Sequence, residues 1–331
     1  MKRVLIALLV LLLAGVSFNA FGQEVEKKPL PSGVPVERGG ALLPTGRFIL
    51  EPSLQYTHYS QETVSISGFT IFEAILIGKI DVKKIERDIF IPSLTARLGF
   101  ENLELNLKAP WLYRQDQTLE QVEEEQKEIT IHDSGLGDIE GGIYYHLVKE
   151  KETMPDVIVN LGFKAPTGKD PYGLKTEVVE EGTPARAVEF PTGTGHWGFS
   201  GGFIFVKTTD PAILSLNISY FYNAPRNVGI EGDINYGKID PGDSIECGLG
   251  MLFALNEKLS LQFSYDQKFT GKSKQNGKKL VGTGANTSVL NIGVTYAISN
   301  KLSFDTVIGI GLTEDAPDVS VQFKFPITFR F

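Results

Sequence analysis

From Arg47 onward the chain falls into stretches in which apolar and polar positions alternate. Phe48, Leu50, Leu54 and Tyr56 share one parity, while Arg47, Glu51, Ser53, Gln55 and Thr57 hold the other. A cleaner stretch sets Leu103, Leu105, Leu107, Ala109, Trp111 and Tyr113 against Glu104, Asn106 and Lys108. The same period returns over residues 157–165, 197–205, 214–222, 245–253, 259–269, 290–298, 302–312 and 319–331. Successive side chains of a strand point to opposite faces, so each stretch predicts a strand with one apolar face.

A soluble β-sandwich alternates too. Three features select a membrane barrel instead. The stretches run to about ten residues or more, the length of a tilted strand crossing a bilayer. Aromatic residues recur near their ends, at Tyr56, Trp111, Tyr113, Trp197, Tyr220, Tyr222 and Phe331, as interfacial girdles would. Connections alternate short and long. Short turns fall at 101–102, 149–156, 208–211, 256–258 and 299–301. Long loops fall at 61–88, 115–137, 168–196, 223–243 and 271–286, with a brief one at 313–318. The expected fold is all-β, a transmembrane antiparallel barrel of about twelve strands with short periplasmic turns and long extracellular loops. An even count closes the sheet and leaves no open edge in lipid. Residues 64–80 are apolar enough to be an extra hairpin or an extension of the first two strands.

The N-terminus has a different pattern. Lys2 and Arg3 precede an uncharged apolar run, 4–14, and small residues follow through Ala20 and Gly22. That order predicts a signal peptide over 1–22. No later run is long and apolar enough for a spanning helix. Residues 23–46 carry Pro29, Pro31, Pro35 and Pro44 without periodicity, which fits a periplasmic leader or a plug entering the lumen. Residues 47–331 form the barrel, and the expected location is a bacterial outer membrane. A net charge of −8 argues against nucleic acid as a partner. Cys247 is the single cysteine, so no intramolecular disulfide forms.

Candidate chemistry lies on the inward parity. Arg47, Arg97, Lys108, Lys164, Lys268 and Lys324 face Glu51, Glu104, Asp138, Glu140, Glu246, Asp266 and Asp305. So balanced a set either pairs across the lumen or flanks a narrow water path, and strong selectivity for one sign needs a ring of one charge. His58, His132, His146 and His196 never show metal-ligand spacing, and no metal or cofactor is expected. His58 and Ser60 share a strand face, as a base and a nucleophile would, but no orienting acid is evident, and no catalytic residue is assigned. Glu120, Glu123, Glu124, Glu125 and Glu128 read as a solvated outer loop, or as a bridge through divalent cations to lipopolysaccharide. Pro166-Thr167-Gly168-Lys169 lacks the upstream glycine and the helix of a phosphate loop.

Several short motifs carry a family resemblance. They are Gly39-Gly40-Ala41-Leu42-Leu43-Pro44, Glu51-Pro52-Ser53-Leu54, Gly135-Leu136-Gly137-Asp138-Ile139 and Ala165-Pro166-Thr167-Gly168-Lys169. Pro191-Thr192-Gly193-Thr194-Gly195, Asp240-Pro241-Gly242-Asp243-Ser244 and the run from Gly311 to Asp318 complete the set. In that order they resemble the outer-membrane transporter-like family of meta-pathway-of-phenol-degradation proteins. The resemblance implies an outer-membrane barrel that takes up small, aromatic or amphipathic molecules. With no energy-coupling motif, the expected activity is a passive, porin-like channel. The alternatives are a barrel hydrolase acting on lipid and a surface barrel whose loops bind a partner. Expected partners are outer-membrane lipid and lipopolysaccharide, a small-molecule solute, and the insertion machinery, which would read the terminal Phe331.

Overall fold

Every period-two stretch with an apolar face becomes a long strand or part of one. The computed structural model describes residues 42–61, 85–122, 125–177, 186–187, 189–231 and 234–330. The expected signal peptide over 1–22, residues 23–41, the apolar stretch 64–80, Glu123, Glu124 and Phe331 lie outside the described residues.

The first half of the barrel contains β1 (Arg47–Gln61), β2 (Ile85–Gly99), β3 (Leu103–Val122), β4 (Glu125–Leu136), β5 (Ile139–Val148) and β6 (Asp156–Ala165). A short hairpin follows, β7 (Thr176–Glu177) with β8 (Arg186–Ala187). Next come β9 (Gly198–Thr208), β10 (Ala212–Asn223), β11 (Arg226–Glu231), β12 (Ile234–Asp240), β13 (Ser244–Ala254) and β14 (Leu259–Thr270). The chain ends with β15 (Lys274–Gln275), β16 (Lys278–Lys279), β17 (Ala285–Ala297), β18 (Ser303–Gly311), β19 (Val319–Lys324) and β20 (Ile327–Arg330).

Antiparallel neighbours run around the sheet, and β1 meets both β19 and β20 to close it. Two staves of this barrel are each made of two segments. The segments β4 and β5 both pair with β3, its outer half with β4 and its inner half with β5, and they are interrupted at Gly137-Asp138. The last stave is interrupted at Phe325-Pro326, where proline has no N–H for the ladder. There the Phe325 N–H donates to Pro52 O at 3.0 Å, and the Ser303 N–H donates to Pro326 O at 3.2 Å. Twelve staves result, as expected, and the closed ladder satisfies the backbone across the bilayer.

The expected loop at 115–137 is corrected. Strands β3 and β4 continue through it as a tall hairpin, with register from Trp111↔Leu136 to Val122↔Glu125. The stretch is polar on both parities, so it carries no apolar alternation. It stands beyond the lipid band, where a strand needs no greasy face. Glu120, Glu125 and Glu128 therefore lie on strands rather than in a loop. At its base Asp116 is buried between Arg87 and Arg114, with Arg87 Nη2 at 2.7 Å. The loops at 223–243 and 271–286 are likewise partly regular, joining as a four-stranded sheet ordered β11, β12, β15, β16.

Outward-facing side chains are large and apolar. Leu161, Phe199, Ile245, Leu290 and Ile308 all stand exposed on the exterior, where lipid rather than water covers them. An aromatic chain follows the outer rim across adjacent strands, Tyr56 to Phe90 at 5.0 Å and Phe90 to Tyr113 at 6.2 Å between ring centroids. Such amphipathic rings belong at the lipid–water boundary.

Candidate functional site

The lumen is built by the inward parity of the staves. It encloses a cavity of about 630 Å³ that reaches from an apolar floor to a charged upper belt. Nine of the expected lumen residues line this cavity: Glu51, Arg97, Glu104, Lys108, Glu140, Lys164, Glu246, Asp266 and Lys268. Strand register fixes the belt, because Lys108 stands opposite Glu140 and Glu140 opposite Lys164 on three neighbouring strands.

These charges divide into two kinds. Arg97 Nε meets Glu104 Oε1 at 2.7 Å, and Lys268 Nζ meets Glu246 Oε1 at 2.9 Å. Asp266 accepts a hydrogen bond from Asn291 Nδ2 at 2.8 Å. Glu140, by contrast, makes no ion-pair contact with either Lys108 or Lys164, its neighbours in the ladder, and it stays exposed to the lumen.

The other four expected residues, Arg47, Asp138, Asp305 and Lys324, are not among the residues that line this cavity. Arg47 sits at the end of β1 opposite Gly99 and Arg330, at the periplasmic rim. Asp305 and Lys324 are cross-strand partners on β18 and β19 and almost fully buried. Asp138 is buried in a latch. It accepts the Gly168 N–H at 3.1 Å, the Thr194 N–H at 2.8 Å and the Thr194 hydroxyl at 2.7 Å.

That latch joins three of the motifs. The Thr167 hydroxyl donates to Gly137 O and the Thr192 hydroxyl to Leu136 O, both at 2.7 Å. Gly168 and Gly193 touch backbone to backbone, and a Cβ on Gly193 would come within 2.3 Å of the Asp138 carboxylate. Only glycine fits so close an approach. The phosphate-loop look of 166–169 is thus a turn that closes a loop over the barrel mouth.

A second lock holds the next loop. Tyr172 OH donates to His196 Nε2 at 2.6 Å, and His196 Nδ1–H donates to Ala224 O at 2.9 Å. Burial holds the His196 imidazole below its ordinary range, outweighing the hydrogen bond to Ala224 that favours its charged form. Arg226 Nη1 reaches Asp170 Oδ2 at 2.9 Å and lies over the Tyr172 ring. The two loops are knitted together above the cavity.

The floor has no counterpart in the sequence reading. Ile158, Ile204, Val206, Ile213 and Leu252 form a buried inward-facing cluster beside the short turns, with Leu42 and Tyr144 packed on it. Its signal is present nonetheless. Alternation fails there, in unbroken runs such as Val157-Ile158-Val159 and Met251-Leu252-Phe253, because both faces are apolar. Just before β1 the Leu43 N–H donates to Glu104 Oε2 at 2.8 Å. The end of the leader therefore lies against the lumen wall.

His58 does have an acid beside it, contrary to expectation. Asp88, its cross-strand partner, lies 2.8 Å from His58 Nδ1 and also accepts the Tyr56 hydroxyl at 2.7 Å. Ser60 donates instead to Asp318 Oδ2. The pieces of a triad are near one another but not connected as one.

Comparison with solved structures agrees with the fold. The COG4313 outer membrane channel from Pseudomonas putida F1 superposes with a TM-score of 0.62 at 14% sequence identity, covering 89% of this chain and 99% of that one. The translocator domain of the autotransporter NalP from Neisseria meningitidis gives 0.49 at 7% identity, covering 87% and 89%. The P. putida toluene transporter TodX gives 0.41 at 7%, covering 86% and 89%. The first shares the fold, and the other two are too distant to carry any argument. The barrel is of the outer-membrane type, and its lipid-facing exterior places it in that membrane. The family model described as putative MetA-pathway of phenol degradation matches residues 68–331, and the chain belongs to that family.

Proposed function

We propose that the protein is an outer-membrane channel for passive uptake of small amphipathic molecules, aromatic ones among them. The observation that carries this reading is the upper belt of Lys108, Glu140 and Lys164. Lys108 and Glu140 stand side by side on adjacent strands without ion-pair contact, and Glu140 is open to the cavity, while buried Lys164 lies 4.0 Å from Asp138. Charges in a dry, filled barrel would need pairing, whereas unpaired ones stay hydrated only where water reaches them. The apolar floor beneath them suits the greasy end of a solute. The family's description and the channel fold of the P. putida relative support the same reading.

The floor also bears on the leader. Leu42 and Leu43 against the lumen wall favour the plug reading of residues 23–46 over a free tether, so resting flux should be small. Reconstitution into planar bilayers and liposomes tests the proposal. Small conductance is expected, with permeation of compact solutes such as arabinose, and deletion of residues 23–41 should raise both. A folded barrel that passes neither ions nor solutes, with or without that segment, ends the channel reading.

A further inference from the structure

Lys164 is a buried cation that lacks a hydrogen-bonded partner. Its side chain is 6% exposed, and its Nζ stands 4.0 Å from Asp138 Oδ2, beyond hydrogen-bond reach. That carboxylate is already taken up by Gly168 and Thr194. Among the described residues Lys164 donates no hydrogen bond, and it lines the lumen cavity. The Phe221 ring lies 5.3 Å from its Nζ, and the same ring lies 5.9 Å from Lys268 Nζ. One aromatic surface is therefore flanked by two ammonium groups. Gly198 makes room for them, because a Cβ there would come within 2.3 Å of the ring and 3.3 Å of Lys164 Cε.

An ammonium withdrawn from bulk water is costly unless its protons find acceptors. We infer that Lys164, Phe221 and Lys268 form a solute subsite for small monocarboxylates with an apolar body. The carboxylate accepts hydrogen bonds from Lys164, the body lies along Phe221, and its far end points toward the floor at Ile204 and Ile213. A single charge is specified, because Asp138, Glu140 and Glu246 stand close by and repel a multiply charged anion. The subsite deepens the channel reading and rests on it for its place on a solute path, but its occupancy is measured separately.

Ligand-observed NMR on the folded full-length protein in nanodiscs provides the test, with benzoate, benzyl alcohol and acetate as probes. Benzoate should bind about tenfold tighter than either of the others, a difference within reach of one charge-assisted contact. Lys164→Gln should weaken benzoate about tenfold and leave benzyl alcohol unchanged, while Lys164→Arg should retain most of the affinity. Phe221→Leu should weaken benzoate but not acetate. Equal affinity for benzoate and benzyl alcohol on the native protein overturns the subsite, with no variant needed. So does benzoate affinity untouched by both Lys164→Gln and Phe221→Leu. Arabinose flux separates the two readings. A barrel that binds benzoate through Lys164 but passes neither ions nor arabinose, with or without residues 23–41, keeps the subsite and loses the channel. One that passes arabinose without preferring benzoate keeps the channel and loses the subsite.

Discussion

Leu261 and Gln262 are adjacent on β14 but belong to different solvents. Leu261 pairs with Phe253 and Val294 on the lipid side, whereas Gln262 lines the lumen cavity. Arginine at position 261, the third residue from the periplasmic end of β14, would place a charge toward the edge of the hydrocarbon, where the cost is below the midplane figure of about 2–4 kcal/mol. At position 262 the same side chain meets polar neighbours and water. Unfolding from lipid vesicles should therefore show a larger loss for Leu261→Arg than for Gln262→Arg, and the opposite order would reverse the inside–outside assignment. At this scale the sequence is most readable, since parity alone separates the two faces. Parity does not separate an inward polar residue held in a bond network from one open to the lumen. Asp138 is taken up by the Gly168 N–H and by the Thr194 N–H and hydroxyl, neighbours distant in sequence that parity does not reveal.

Among elements, the loops over the mouth depend on a few bonds each. Replacing Asp138 with alanine removes the acceptor for two backbone N–H groups and a hydroxyl. A loss of about 2–4 kcal/mol is expected, together with faster proteolysis of residues 189–197 while the barrel stays folded. Unchanged cleavage would mean that the glycine contact holds the loop without the carboxylate. The His196 lock should respond to acid. Its imidazole is held below the ordinary value of 6.5, so the stabilisation is complete above that value and is lost as pH falls through the depressed one. Amide protection factors around Ala224 and His196, corrected for the intrinsic slowing of exchange in acid, should fall as pH drops below the ordinary histidine value, and His196→Gln should flatten that dependence. The strands of these elements were legible from period two, and the connections only partly so. The tall β3–β4 hairpin is polar on both faces, and the sheet of β11, β12, β15 and β16 joins loops some forty residues apart. No local pattern announces either one.

At the scale of the whole molecule, the proposed channel would take the sign of its selectivity from the belt. Replacing Lys108 and Lys164 together with glutamine leaves Glu140 unopposed, and reversal potentials in a salt gradient should move toward cation preference. Glu140→Gln should move them the other way, and no movement in either variant would take the belt off the ion path. Closure into twelve staves follows from stretch count and turn length. The apolar floor was hidden in the same residues because it breaks the alternation by which the staves are recognised. The latch has a wider consequence. The glycines, threonines and aspartate that make this chain recognisable as kin hold its rim in shape, while the lining residues that would meet a cargo lie mostly outside those motifs. Kinship and diet are thus written in separate letters. Relatives that keep the rim intact are free to diverge in what they admit, and exchanging a handful of lining positions should retune the cargo without disturbing the signature.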